Sequence, residues 1–277
     1  MVENVPETAR ASSPARRAFE AFGALLDGPL TGLAPWIVLG VFEGPGRLVV
    51  VAGVALALSV LFLVVDLLRG RSLKVLGVVD VVFFAGLVLL HFALDEAGQD
   101  WLETWLGEIA NITLVLIAVG SMLARVPFTI QYAREEVEEQ YWHTPTFLRT
   151  NYVLTGAWAL AFLVAAVAGF YGDAILGDPD NLWTSWVIQT AALLCALQFT
   201  NWYPDVARAQ VAAAEGRPGE PVPSLRDLFA PLAVWLIPIG IVTLATDGGP
   251  TWLGIAFIAL GVGTNALLHR IQGEVVT

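Results

Sequence analysis

Charge is scarce in this sequence: Asp, Glu, Lys and Arg together make up 14% of the 277 residues. Soluble domains carry about 25%, so the shortage excludes an ordinary water-soluble fold. Cysteine occurs once, at Cys195, which excludes an internal disulfide and any Cys-rich metal centre. It lies in an apolar run and reads as a small packing residue. Histidine occurs only at His91, His143 and His269. His91 and His269 are expected at opposite membrane surfaces and cannot ligate one haem. No P-loop, glycine-rich nucleotide fingerprint, HExxH helix or GxSxG elbow occurs. The chain therefore reads as non-enzymatic, with no cofactor and no metal site. Alternating ten-residue strands are missing too, which removes a β-barrel. The formal charge of -11 argues against nucleic acid as a partner.

What the chain has instead is long apolar runs, and 57% of its residues are hydrophobic. Runs of roughly twenty residues match the ~30 Å hydrocarbon layer at 1.5 Å rise per residue. Lipid offers no partner to open backbone groups, so each run must be a helix. Candidates lie at about 29–42, 47–68, 73–95, 107–126, 147–172, 181–203, 228–247 and 250–269. The first is short and is read as spanning or re-entrant. Pro231 and Pro238 predict a kink or local unwinding in the seventh. Trp36, Trp101, Trp105, Trp183, Trp186, Trp202 and Trp252 read as anchors at the headgroups.

Basic residues orient the segments. With eight crossings and the N-terminus inside, the cytoplasmic set is Arg10, Arg16, Arg17, Arg69, Arg71, Lys74, Arg125, Arg134, Arg149, Arg208, Arg217, Arg226 and Arg270. That is thirteen of the fourteen Lys and Arg, with Arg47 alone outside. If the first segment does not cross, the inside count falls to ten, so the positive-inside rule favours eight crossings with both termini cytoplasmic. External loops collect acids instead, among them Glu43, Glu108 and Asp173.

The fold class expected is thus all-α, a polytopic helix bundle. Residues 1–27 read as a cytoplasmic tail with an interfacial amphipathic helix opened by Ser13 and Pro14, retained rather than cleaved. Residues 28–208 form a six-helix body, and 209–227 a cytoplasmic Pro/Gly linker. Residues 228–277 add a two-helix extension, opened by a capping-box pattern at Ser224 and Asp227. Ala157, Ala161, Ala165 and Gly169 make a small-residue stripe for close helix approach, and Ala259 with Gly263 suggest another.

Asp80 is the foremost candidate site, since it falls about five residues inside an apolar run that starts at Val75. Intramembrane carboxylates are costly and often functional, for instance as proton carriers. The competing reading is a structural ion pair with Arg69, Arg71, Lys74 or Arg125. Asp66 faces the same choice, three residues before Arg69. On the connection 128–146, Ile130, Ala133, Val137 and Tyr141 line up on one helical face. Glu135, Glu136, Glu138 and Glu139 form an acidic patch around the rest, read as a solvated face rather than a cation site with His143. Asn111, Ser121, Asn151, Gln189, Thr190, Gln198, Asn201, Thr243 and Asn265 either line a path or bond between helices.

One ordered set of residues carries a resemblance. The basic turn Asp66-Leu67-Leu68-Arg69-Gly70-Arg71-Ser72-Leu73-Lys74 leads to Phe83-Phe84 and then to Trp101 and Trp105. Pro127-Phe128-Thr129-Ile130-Gln131-Tyr132-Ala133-Arg134-Glu135 follows, then Trp142, Pro145, Phe147 and Asn151. Thr155-Gly156-Ala157-Trp158 and Asn181-Leu182-Trp183 complete it. Over residues 30–208 this order resembles the intracellular septation protein A family and its bacterial membrane relatives. The resemblance implies a multi-pass inner-membrane protein that serves envelope synthesis or division through membrane partners, without catalytic residues. The partners expected are the bilayer and either other membrane proteins or further copies of the chain. The alternative kept open is a small-molecule or proton-coupled transporter that uses Asp80; a lipid-acting enzyme has less support, because no His, Ser or acids converge at one depth.

Overall fold

The computed structural model of the protein describes residues 30–44, 46–179, 181–217, 221–245 and 250–275, the last nine by main chain only. The interfacial helix expected within 1–27, its arginines, and the side chains of His269 and Arg270 lie outside the described residues. Every element among the described residues is helical. In chain order these are α1 (Leu30–Phe42), α2 (Leu48–Leu68), α3 (Val75–Ala93), α4 (Glu96–Thr104), α5 (Leu106–Leu123) and α6 (Thr129–Glu136). They continue with α7 (Pro145–Phe170), α8 (Ile188–Ala214), α9 (Leu225–Phe229), α10 (Leu236–Ala245) and α11 (Thr251–Val275).

Six helices are long and apolar enough to cross a membrane: Leu48–Leu68, Val75–Ala93, Leu106–Leu123, Pro145–Leu176, Leu182–Ala214 and Leu225–Ala245. Two shorter apolar stretches, Gly32–Phe42 and Thr251–Ala266, accompany them. Their outward faces are apolar, with Val82 67%, Leu89 69% and Phe92 75% exposed along α3 alone. A water-facing surface does not tolerate such a patch, whereas lipid does. The chain is an integral, multi-pass helical membrane protein.

Local chemistry accounts for the helix ends. Thr144 accepts from the Phe147 N–H at 3.3 Å, and Pro145 takes the first helical position of α7. Ser224 and Asp227 bond reciprocally, with the Ser224 N–H and hydroxyl both 2.8 Å from Asp227 Oδ2. The expected unwinding in the seventh segment occurs at Pro231, where Pro231–Trp235 is a 3₁₀ turn between α9 and α10. Helix α2 ends with Gly70 at φ 69°. The Arg71 N–H reaches back to the Asp66 carbonyl, the closure that a left-handed glycine permits.

Helices α1, α2 and α3 pack together, and α7 lies along both α5 and α8. Phe84, Ala52, Ala55, Ala118 and Phe162 are almost fully buried where the two groups meet. Lipid tails are as apolar as leucine, so close packing and interhelical hydrogen bonds hold these helices, not water exclusion. The small stripe on α7 does this: Ala161, Ala165 and Gly169 are buried, and the Glu108 carboxyl occupies the space over Gly169. On α11 the stripe differs from expectation. Ala259 and Gly263 are exposed, whereas Gly254 and Gly261 press against α10 and the turn before it.

Three other details depart from the sequence reading. The connection after α5 is a helix of only 8 residues, because Val137 adopts extended backbone at its C-cap. The stripe Ile130, Ala133, Val137, Tyr141 is therefore broken; Tyr141 is 51% exposed and the buried residues are Thr129, Ile130 and Tyr132. Helix α8 runs unbroken through Pro204 to Ala214, so the membrane segment near 181–203 and the alanine-rich stretch after it are one helix. Trp36 is not a headgroup anchor: it is 7% exposed, inside an aromatic cluster with Phe83 at 4.6 Å and Phe84 at 5.1 Å.

Candidate functional site

Two short helices secure the long ones at opposite ends of the bundle. At the acidic end Glu103 of α4 accepts from the Gly46 N–H at 2.8 Å and the Leu48 N–H at 3.4 Å, capping α2. At the basic end Gln131 of α6 accepts from the Val75 N–H at 2.8 Å, capping α3. These side chains satisfy donors that a helix start leaves open.

Below the Gln131 cap lies a buried polar cluster. Lys74, 6% exposed, reaches Glu135 at 3.0 Å and Asp66 at 3.1 Å. Arg71 lies 3.6 Å from each of the same two carboxylates. The Lys74 ammonium also sits 4.9 Å over the Tyr132 ring, a cation–π contact. Asp66 is thus held by Arg71 and Lys74 across the turn. Glu135 turns inward while Glu136, Glu138 and Glu139 stay exposed, so the acidic patch divides. No group of acids, His and Cys that would hold a metal exists among the described residues.

Asp80 stands one helical turn and a half further into α3 and is 2% exposed. It forms no ion pair among the described residues. The Trp36 indole N–H donates to its Oδ1 at 2.6 Å, joining α1 to α3. Arg125 is not drawn to it; this residue takes the left-handed position that ends α5, at φ 62°. Indole is a donor only, so any proton on the carboxyl must sit on the other oxygen, Oδ2.

Tyr132 faces the same space. It is 4% exposed and its hydroxyl has no hydrogen-bond partner among the described residues. Burial, then the nearby carboxylates of Asp80, Asp66 and Glu135, push the phenol well above its ordinary range. It is therefore a hydroxyl at any physiological pH. Gly32, Ser59, Asp66, Lys74, Asp80 and Tyr132 surround a cavity of about 20 Å³. A water needs ~10–15 Å³ by this measure, so the space takes one water and no solute.

The opposite end carries a second set of acids. Glu108 is 5% exposed and lies against Asp173 on the turn that continues α7. Glu43 approaches the start of α5, 3.7 Å from where a β-carbon on Gly107 would stand. Burial, then Glu108 and Asp173, push the Glu43 carboxyl up to about 7. The intramembrane amides serve packing here: Asn111 donates to Gln189 at 3.2 Å across α5 and α8. Ser121 accepts from the Phe128 N–H at 3.0 Å, and Thr129 bonds Thr155 at 2.9 Å.

Sequence reading singled out Asp80, Asp66, Lys74 and Glu135 but offered Asp80 only cations as partners, and it gave Trp36, Tyr132 and Gln131 no role at this site. Their signals were weak for one reason. Each contact spans tens of residues, and hydropathy carries no long-range register. No family model, no curated protein and no solved structure matches the chain.

Proposed function

We propose that the chain is a non-enzymatic component of the bacterial inner membrane, working through membrane partners in envelope synthesis or septation. Eight crossings with both termini in the cytoplasm complete this reading, and the family resemblance supplies the process. The observation that supports it most is a convergence. Residues of the resembling segment 127–135, with Asp66 and Lys74 of the basic turn, meet in one clamp: Gln131 caps α3, Tyr132 fills the space beside Gly32, and Glu135 holds Lys74. Residues that keep an architecture together are what distant relatives with no shared catalytic site would have in common. A deletion strain is expected to show altered shape, septation or envelope sensitivity, restored by the wild-type chain and not by a Lys74→Met variant. Normal morphology and sensitivity in the deletion strain would remove the proposal. Reporter fusions near residue 45 and at residue 277 test the topology; an external signal at the C-terminus would overturn it.

A second reading has its own support. Asp80, buried beside a cavity with Tyr132, fits a proton carrier. A cavity of about 20 Å³ suits a proton path better than a path for a small molecule. Proteoliposomes should show proton flux that Asp80→Asn abolishes; equal flux in the two chains would end this reading.

A further inference from the structure

We propose that Asp80 and Tyr132 hold one water between them, making a buried site that takes up a single proton from the Lys74, Asp66 and Glu135 side of the bundle. This goes beyond both functional readings, since the site can bind a proton in a protein that transports none.

Three observations carry it. The Tyr132 hydroxyl is almost fully buried and lacks a partner among the described residues. An orphaned hydroxyl in a low-dielectric interior is costly, and a water that accepts its hydrogen removes that cost. The adjoining cavity of about 20 Å³ has room for that water, and Asp80 is among the residues lining it. Trp36 occupies Oδ1, which leaves Oδ2 as the acceptor for the water or the place of the proton. Tyr132 of α6 and Asp80 of α3 thus border one cavity.

Charge counting points the same way. The groups around the cavity are Asp66 from α2, Arg71 and Lys74 from the turn, Glu135 and Tyr132 from α6, and Asp80 from α3. Helix α1 contributes Trp36 and Gly32, and α2 adds Ser59, whose hydroxyl donates to the Ala55 carbonyl at 2.8 Å. Asp66 and Glu135 contact Arg71 and Lys74 on both sides, two charges of each sign. Among these named groups an ionised Asp80 adds one uncompensated negative charge, and a protonated Asp80 adds none. A net charge at this depth is expensive. One proton is the smallest ligand that cancels it, and Lys74 and Asp66 line the same cavity as Asp80, so the proton has a route from that side.

Infrared difference spectra of the full chain in lipid nanodiscs, taken between acid and alkaline pH, read the site directly. A protonated-carboxyl band should be present that Asp80→Asn abolishes. Tyr132→Phe removes the donor and with it the ordered water, so the band should persist at a shifted, less hydrogen-bonded frequency. Trp36→Phe keeps the carboxyl while deleting the bond to Oδ1, and should shift the band as well; it serves if Asp80→Asn does not fold. A spectrum insensitive to Asp80→Asn, or in its place to Trp36→Phe, would overturn the proton site. A band unmoved by Tyr132→Phe would overturn the bridging water. Either result is separate from proteoliposome flux and from the phenotype of the deletion strain.

Discussion

Gly32 of α1 and the phenol of Tyr132 on α6 share one space: a β-carbon on the glycine would overlap the tyrosine oxygen and stand 2.9 Å from Leu76 Cδ2. The tyrosine is 4% exposed and cannot swing into solvent without leaving the core. Gly32→Ala should lower stability by about 1–3 kcal/mol through overpacking. Tyr132→Phe deletes the clashing oxygen, so in the double variant the alanine should cost less than it does alone. Thermal midpoints of detergent-solubilised protein, arranged as a double-mutant cycle, give the coupling; strict additivity would contradict the contact.

Lys74 is the cation most deeply set in the clamp. Lys74→Met leaves Asp66 and Glu135 to the more distant Arg71, 3.6 Å from each, while Glu135→Gln leaves the ammonium one carboxylate. Breaking a buried pair from one side costs ~3–5 kcal/mol. The methionine variant should approach that range, and the glutamine variant should lose roughly 1–2 kcal/mol, since Asp66 remains as partner and the carboxylates are partly exposed. Denaturant midpoints in micelles check the order; the reverse order would sink the assignment.

Glu43 makes the acidic end pH-dependent. Burial pushes its carboxyl up to about 7 in the folded chain, from an ordinary value of 4.5. A raised acid binds its proton more tightly in the folded state, so its contribution to stability is present at low pH and falls as pH rises from about 4.5 to about 7. Above that window the loss is complete. Glu43→Gln should flatten the slope of melting temperature over this interval without altering the basic end. An unchanged slope would show that Glu43 does not titrate there.

Gly240 and Gly254 bring α10 and α11 into backbone contact; a β-carbon on Gly240 would stand 2.6 Å from the Gly254 carbonyl oxygen. Gly254→Leu should part this hairpin, with a stability loss of about 1–3 kcal/mol. Gly263→Leu, at a position with open space, should be neutral. Cysteine pairs placed on the two helices would report the separation through lost cross-linking. Equal cross-linking in the two leucine variants would refute the packing.

Much of the architecture was readable because a bilayer permits so few backbones. The all-helical fold with six long apolar helices and two shorter ones, the proline-broken segment and the Ser224–Asp227 cap all follow from composition and local chemistry. The details that failed are those set by partners far away. Trp36 looked like an interfacial anchor because tryptophan usually is one; its burial depends on an acceptor 44 residues later. Lys74 was one of four cations weighed as an ion-pair partner for Asp80, yet its ammonium is held by Glu135 and Asp66. Val137 ended an apparently amphipathic helix early, which no periodicity could signal, and so the stripe to Tyr141 dissolved.

The Trp36–Asp80 bond also sets an order of events at the ribosome. Helix α1 is 13 residues in the described chain, about 20 Å at 1.5 Å per residue, and falls short of the ~30 Å hydrocarbon layer. It is synthesised before the carboxyl that fixes it. Its docking therefore waits until α3 has entered the bilayer and presents Asp80, and a chain stalled before residue 80 would leave it undocked.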